Sequence, residues 1–121
     1  MKKILVFTSL CCLTVLFSSF YQSKCDFVGD WHTDFGFLTI KEKNGTYSGS
    51  YPVNYGTGYI TGKMSKDRNS NNVILKGTWQ EGKASGKFEF KLDCYKMEFK
   101  GTWTNDNLNE KGTWNGMKFG I

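Results

Sequence analysis

The chain has 121 residues, with 16 basic and 11 acidic side chains, 14 glycines, one proline and 17% aromatic residues. This length suits a single domain, and the aromatic content is too high for a disordered chain. The glycines do not follow a Gly-X-Y period, which excludes a collagen-like protein.

The N-terminal segment has the pattern of a secretory signal peptide. Two lysines follow Met1, and an apolar run of about fourteen residues extends from Ile4 to Phe17, before two serines. We predict a signal peptide over residues 1–20, with cleavage between about residues 18 and 24. A retained membrane anchor is the alternative, although this run is shorter than the about 20 apolar residues that a membrane-spanning helix needs. The mature protein is therefore expected to be secreted or periplasmic.

Removal of this segment changes both the charge and the cysteine count. From Cys25 onward, 13 basic and 11 acidic side chains leave a net charge of +2, which gives no indication of a nucleic-acid partner. Only Cys25 and Cys94 remain, and two cysteines in an exported chain predict one disulfide. Two free buried thiols are the alternative. The single histidine, His32, has no partner at metal-ligand spacing, so we predict no metal site and no cofactor.

The mature region has the period-two alternation of apolar and polar residues that is typical of β-strands, and no segment has a helical period. Glycine often stands between two large residues of the same face, as in Leu75-x-Gly77-x-Trp79. We predict an all-β fold with eight strands near residues 27–32, 37–43, 46–52, 57–64, 73–81, 84–92, 96–103 and 111–117.

Two turns predict the register of their hairpins. The Asn-Gly pair at 44–45 is the preferred type I′ turn and sets Ile40 opposite Gly49. A Gly-Lys pair after the fifth predicted strand suits a type II′ turn and sets Trp79 opposite Gly86. In both hairpins a bulky side chain is expected to face a glycine.

The remaining registers rest on complementarity between the paired residues. In the hairpin around Asp93–Lys96, pairing Phe90 with Phe99 brings opposite charges together on the outer face. Between the fourth and fifth strands, complementarity of size favours Ile60 beside Gly77. With these registers, glycines and large residues alternate around one face of all eight strands.

This alternation predicts a closed barrel. The interior of a small barrel is just wide enough for side chains to fill, so large residues need glycine neighbours. We predict a single domain over residues 25–121, an eight-stranded antiparallel up-and-down (meander) barrel. Its outer face is rich in Thr, Ser, Lys and Glu, so we expect no stable membrane insertion after cleavage. In this topology one rim is formed by loops 32–37, 52–57, 80–85 and 104–111.

The stretch Gly29–Ile40, followed by Gly49-Ser50-Tyr51, resembles the opening hairpins of avidin-like proteins, which are secreted eight-stranded barrels that bind biotin. The resemblance implies a ligand site in the barrel mouth, and Tyr51 matches a tyrosine of that family that contacts the ligand. Thr33 and Phe37 stand where the family has Asn and Ser, so the implied ligand is a small molecule other than biotin.

Gly-x-Trp and Trp-x-Gly strands recur through the mature region as Gly77-x-Trp79, Gly101-x-Trp103, Gly112-x-Trp114 and Trp114-x-Gly116. This repeated pattern resembles a family of small exported all-β proteins of unknown function. The resemblance implies export and a β fold, and no particular activity.

No residue pattern predicts catalysis. A base or nucleophile needs an orienting partner, and the only such grouping is His32 with Asp34, which two solvated turn residues explain better. We predict that the protein is not an enzyme but an exported binding or interaction module, with contacts from the rim loops. Its unknown ligand would be small and apolar, or a surface glycan; the alternatives are an avidin-like small-molecule binder that uses the barrel mouth and a small secreted enzyme. The predicted ligand-binding residues are His32, Asp34, Phe35, Phe37, Tyr51 and Tyr55.

Overall fold

The structure is a computed structural model that describes residues 25–120. These residues form the predicted all-β, closed, eight-stranded antiparallel barrel with up-and-down neighbours. Within them, no helix has the length and hydrophobicity needed to cross a membrane. The predicted signal peptide and its cleavage site lie outside the described residues. The strands are β1 (Gly29–Thr33), β2 (Gly36–Lys43), β3 (Thr46–Val53), β4 (Gly56–Lys66), β5 (Val73–Glu81), β6 (Ala84–Asp93), β7 (Glu98–Asn105), β8 (Glu110–Thr113) and β9 (Gly116–Lys118).

The eighth strand, predicted as continuous, is interrupted between β8 and β9. Both parts pair with β7 in one register, and β9 also pairs with β1, which closes the barrel. At the interruption the backbone N–H of Trp114 donates to the carbonyl oxygen of Gly101 (2.9 Å), whereas the N–H of Gly101 donates to the side-chain oxygen of Asn115 (3.2 Å). The Asn115 side chain therefore replaces a backbone acceptor where the strand is broken.

The two registers predicted from turn type are confirmed. Ile40 lies opposite Gly49 across the β2–β3 hairpin, and Trp79 lies opposite Gly86 across the β5–β6 hairpin. Gly45 has a φ of 84° and Gly82 a φ of 59°. These two tight turns require a positive φ, which glycine adopts without steric cost because it has no side chain.

The register predicted between β4 and β5 is wrong by two residues. Ile60 lies opposite Trp79, and Gly62 lies opposite Gly77. A Cβ atom at Gly77 would overlap the carbonyl oxygen of Thr61, so this glycine allows the two backbones to approach closely. Complementarity of side-chain size predicted the wrong pairing, because Gly77 makes room for the backbone of β4 and not for a large side chain opposite it.

The register predicted between β6 and β7 is also wrong by two residues, since Phe90 faces Gly101 and Phe99 faces Leu92. Lys91 consequently lies opposite another lysine, and it forms its ion pair with Asp67 in the β4–β5 loop instead (3.5 Å).

The turn between β6 and β7 sets this register. The carboxylate of Asp93 accepts the backbone N–H groups of residues 95 and 96, at 2.9 and 3.1 Å. An exposed charge pair, worth about 0.2–1 kcal/mol, does not outweigh this turn and the packing of the core.

Residues 25–28 close one end of the barrel, which we call the closed end. Phe27 lies just before β1, is fully buried, and packs against Trp31, Phe90 and Phe99 at ring-centroid distances of 6.1, 6.4 and 6.2 Å. Its carbonyl oxygen accepts the indole N–H of Trp31 (2.9 Å). The N-terminal segment therefore fills the closed end with an aromatic side chain.

The predicted Cys25–Cys94 disulfide is present and fastens this segment to the β6–β7 turn, with the two Cα atoms 5.5 Å apart. It joins cysteines separated by 69 residues in the sequence. A cross-link over a loop of this size stabilises a fold by about 2–4 kcal/mol, mainly by restricting the unfolded chain. The bond is consistent with folding in an oxidising compartment.

Candidate functional site: a cleft at the barrel mouth

The opposite end, which we call the mouth, carries the turns at 34–35, 54–55, 82–83 and 106–109. A cleft of about 260 Å³ opens here between the ends of β5, β6 and β7 and the β1–β2 turn. We call it the mouth cleft; it is lined by Phe35, Trp79, Glu81, Ala84, Trp103, Asn105 and Trp114.

Four aromatic rings form the walls and floor of the mouth cleft. Trp79 meets Trp103 at an interplanar angle of 89° and a centroid distance of 6.1 Å. Phe35 stands at 87° to Trp114 and at 76° to Trp103. Trp114 is buried, whereas Phe35 is 44% exposed because it lies in a turn. The rings therefore meet edge to face, as aromatic quadrupoles prefer, and surround a small volume from several sides.

The indole N–H groups of this cleft are not equivalent. Trp79 donates to the carbonyl oxygen of Thr104 (2.9 Å), and Trp114 donates to the hydroxyl of Thr33 (3.0 Å). Trp103 has a buried indole nitrogen with no hydrogen-bond partner among the described residues, and it lies against Gly112. Two of the three tryptophans are thus fixed by the barrel itself.

Glu81, the last residue of β5, contributes a carboxylate to the lining of the cleft. Its Oε2 accepts the hydroxyl hydrogen of Tyr51 at 2.7 Å, and Tyr51 packs on Trp114 at 5.0 Å. Burial raises the pKa of Tyr51 well above its ordinary value of 10.0, and the hydrogen bond to Glu81 and its negative charge raise it further. Tyr51 therefore stays protonated and holds the carboxylate in place.

Replacing Tyr51 with phenylalanine should change how stability depends on alkaline pH. Because folding raises the pKa of Tyr51, its stabilising contribution is fully present below pH 10 and is lost as the pH rises above that value. The Tyr51→Phe protein lacks this ionisable hydroxyl group. The difference in unfolding free energy between the two proteins, about 1.5–3 kcal/mol at neutral pH, should shrink above pH 10 in urea titrations.

The pKa of Tyr47 is also raised, to about 12, by burial and by Asp26. Because Tyr47 is present in both proteins, its effect on stability cancels in the difference. A constant difference up to pH 12 would contradict this assignment.

Sequence reasoning missed Glu81 and Asn105 as site residues. Glu81 continues the inward-facing series of β5, which includes Trp79, and Asn105 continues that of β7, which includes Trp103. Asn105 is buried, and its Oδ1 accepts the N–H groups of Asn107 and Leu108 in the β7–β8 turn (3.1 and 3.3 Å). The alternation of inward and outward side chains, continued to the last residue of each strand, would have predicted that Glu81 and Asn105 face inward.

Of the predicted ligand-binding residues, Phe35 lines the mouth cleft, and Tyr51 lies beside it, in contact with the lining residues Glu81 and Trp114. His32 and Phe37 instead lie on the outer face of the barrel, with ring centroids 4.4 Å apart. The His32 ring also contacts Phe119 at 4.9 Å. Together with Met117 these side chains form an outer apolar patch, in which Phe37, Met117 and Phe119 are each about half exposed.

The other two predicted residues, Asp34 and Tyr55, have separate positions. The carboxylate of Asp34 accepts the backbone N–H of Asn115 (2.8 Å), and the N–H of Asp34 donates to the Asn115 carbonyl oxygen (3.1 Å). Asp34 thus fastens the interrupted eighth strand to the β1–β2 turn. Tyr55 is fully exposed in the β3–β4 turn.

A wider groove of about 590 Å³ crosses the outer face and is bordered by His32, Asp34 and Asn115. Its charged side chains are of both signs, three lysines with three acidic residues, so it favours neither an anionic nor a cationic ligand. Among residues 25–120, no group of three His, Cys, Asp or Glu side chains is arranged to hold a metal ion. Comparisons of the chain with protein-family models, with curated proteins and with solved structures gave no match.

Proposed function

We propose that this protein is an exported, non-catalytic binding module and that the mouth cleft is its ligand site. The observation that carries the proposal is the composition of this cleft, in which four aromatic rings, a carboxylate and a buried amide line one cavity at one end of the barrel. Ligand sites in small barrels commonly lie at the mouth, with mostly apolar walls and a few polar groups that orient the ligand. The disulfide supports export, because such bonds persist in oxidising compartments.

The arrangement of titratable groups supports binding rather than catalysis. A catalytic site needs a base or nucleophile within hydrogen-bond reach of a partner that activates it. Glu81 accepts its hydrogen bond from Tyr51, which stays protonated, and His32 lies against Phe37 and Phe119 on the outer face. The cleft therefore offers recognition groups, and its volume is just below the about 300–1,000 Å³ of drug-sized ligand sites. A small molecule, or one end group of a larger one, suits it best.

Native mass spectrometry of the protein isolated from its own source tests this function. We expect a co-purifying ligand on the unmodified protein, and none on Ala84→Phe, because Ala84 lines the cleft and a phenylalanine there would fill it. Tyr55→Ala is the matched control, since Tyr55 is fully exposed and outside the cleft lining, and it should retain the ligand. The proposal fails if no added mass is found, or if Ala84→Phe retains the same mass.

A further inference from the structure

The mouth cleft contains a negative charge without a cationic partner among the described residues. Glu81 is partly buried, and none of the ion pairs within residues 25–120 involves it. The nearest basic residue along the chain, Lys83, is exposed in the turn that follows β5. A carboxylate that has lost part of its hydration is stabilised by a nearby positive charge. The site therefore favours a ligand that brings this charge.

The aromatic walls favour the same kind of ligand. The face of an aromatic ring carries a partial negative charge, and cations bind over the faces of Trp, Tyr and Phe within about 6 Å of the ring centroid. Trp79 and Trp103 are nearly perpendicular to each other, as are Phe35 and Trp114, and all four rings line the cleft. Several faces around one position form an aromatic cage, which is the arrangement that recognises quaternary ammonium groups.

The hydrogen-bonding groups of the cleft argue against a sugar or another hydroxyl-rich ligand. The N–H of Trp79 and that of Trp114 already have protein acceptors, and the hydroxyl of Tyr51 donates to Glu81. The Oδ1 atom of Asn105 already accepts two backbone N–H groups. The indole N–H of Trp103 has no acceptor within residues 25–120, but one buried donor offers little to the several hydroxyls of a sugar, whereas an alkylated ammonium group needs few hydrogen bonds.

From these observations we infer that the mouth cleft binds a small organic cation of the quaternary or alkylated ammonium class. In the bound state the ammonium group lies among the faces of Trp79, Trp103 and Phe35, and Glu81 supplies the opposite charge. The inference rests on the proposed function, because it names the ligand class of the same site. The volume of about 260 Å³ suits a compact head group.

Titration with choline chloride and with 3,3-dimethyl-1-butanol, its uncharged carbon analogue, tests the charge directly. The two probes have nearly the same shape, so a difference in affinity measures the contribution of the positive charge. We expect choline to shift the indole N–H signals of Trp79 and Trp103 in NMR spectra of the isotope-labelled protein. Its affinity should exceed that of the neutral analogue by about tenfold or more.

Two variants at Glu81 complete the experiment. Glu81→Gln keeps the shape and should bring choline to within about twofold of the neutral analogue, whereas Glu81→Asp retains the charge and should retain a preference for choline. Equal affinity of the two probes for the unmodified protein would overturn the cation inference without requiring any variant to fold. If neither probe binds but a co-purified ligand is lost from Ala84→Phe, the ligand class is wrong and the proposed function stands. If Ala84→Phe retains that ligand, the proposed function fails as well.

Discussion

Replacing Phe27 with alanine is expected to lower the free energy of unfolding by about 3–5 kcal/mol, the usual cost of deleting a large buried aromatic side chain. Phe27 is fully buried and contacts three other core aromatic residues, so the substitution would leave a cavity at the closed end. The disulfide keeps the neighbouring backbone in place and limits how far the chain can collapse into that cavity. Urea unfolding of the oxidised protein, followed by tryptophan fluorescence, measures the change.

Tyr55→Ala is a suitable control for Phe27→Ala, because it also removes an aromatic ring but from a fully exposed position. Its effect should stay within about 0.5 kcal/mol of the unmodified protein. Equal destabilisation by the two substitutions would show that residues 25–28 do not contribute to the core.

Replacing Gly86 with alanine is expected to prevent formation of the native barrel, or to cost more than about 4–5 kcal/mol. A Cβ atom at this position would overlap the carbonyl oxygen of Thr104 on β7 and would lie 2.7 Å from the indole nitrogen of Trp79. The first neighbour is backbone within a paired strand and cannot move without disturbing the ladder. Circular dichroism and the dispersion of amide NMR signals would report the loss of structure.

Two other glycine substitutions separate this clash from a general intolerance of change. Gly82 has a φ of 59° and open space around it, so Gly82→Asn should be tolerated, since asparagine adopts this conformation more readily than most residues. Gly49→Ala would meet the side-chain atoms of Ile60 and Leu38 at 2.8 and 3.1 Å, which can shift, and its cost should be intermediate. A Gly86→Ala protein as stable as Gly82→Asn would contradict the close approach of β6 and β7.

Much of the barrel could be predicted from the sequence, because short strands and tight turns are local. The Asn-Gly turn before Thr46 fixes its hairpin by itself, and Ile40 faces Gly49 as predicted. The register between β6 and β7 could not be obtained in this way. It depends on a turn in which Met97 adopts a φ of 54° and Asp93 accepts two backbone N–H groups. Composition does not indicate that a methionine will adopt a left-handed conformation.

The candidate site was predicted only in part, for a related reason. Phe35 and Tyr51 were identified from the rim position and from the resemblance to avidin-like barrels. His32 and Phe37 were assigned to the same site because both were predicted to lie in the rim loop 32–37. In the structure β1 and β2 extend nearly to the turn, and strand alternation directs both side chains outward. Glu81 and Asn105 lie at strand ends, where a polar residue is easily taken for part of a loop.

The closed end also determines how the molecule can be attached to a surface. The chain enters β1 from Cys25 at this end, and β9 runs away from the mouth, with the N–H of Phe119 donating to the carbonyl oxygen of Asp30 near the start of β1. Both ends of the described chain therefore lie far from the mouth cleft. A sensor chip or a fusion partner joined through either of them would leave the cleft facing the solution, so immobilised protein can be used directly in ligand screens.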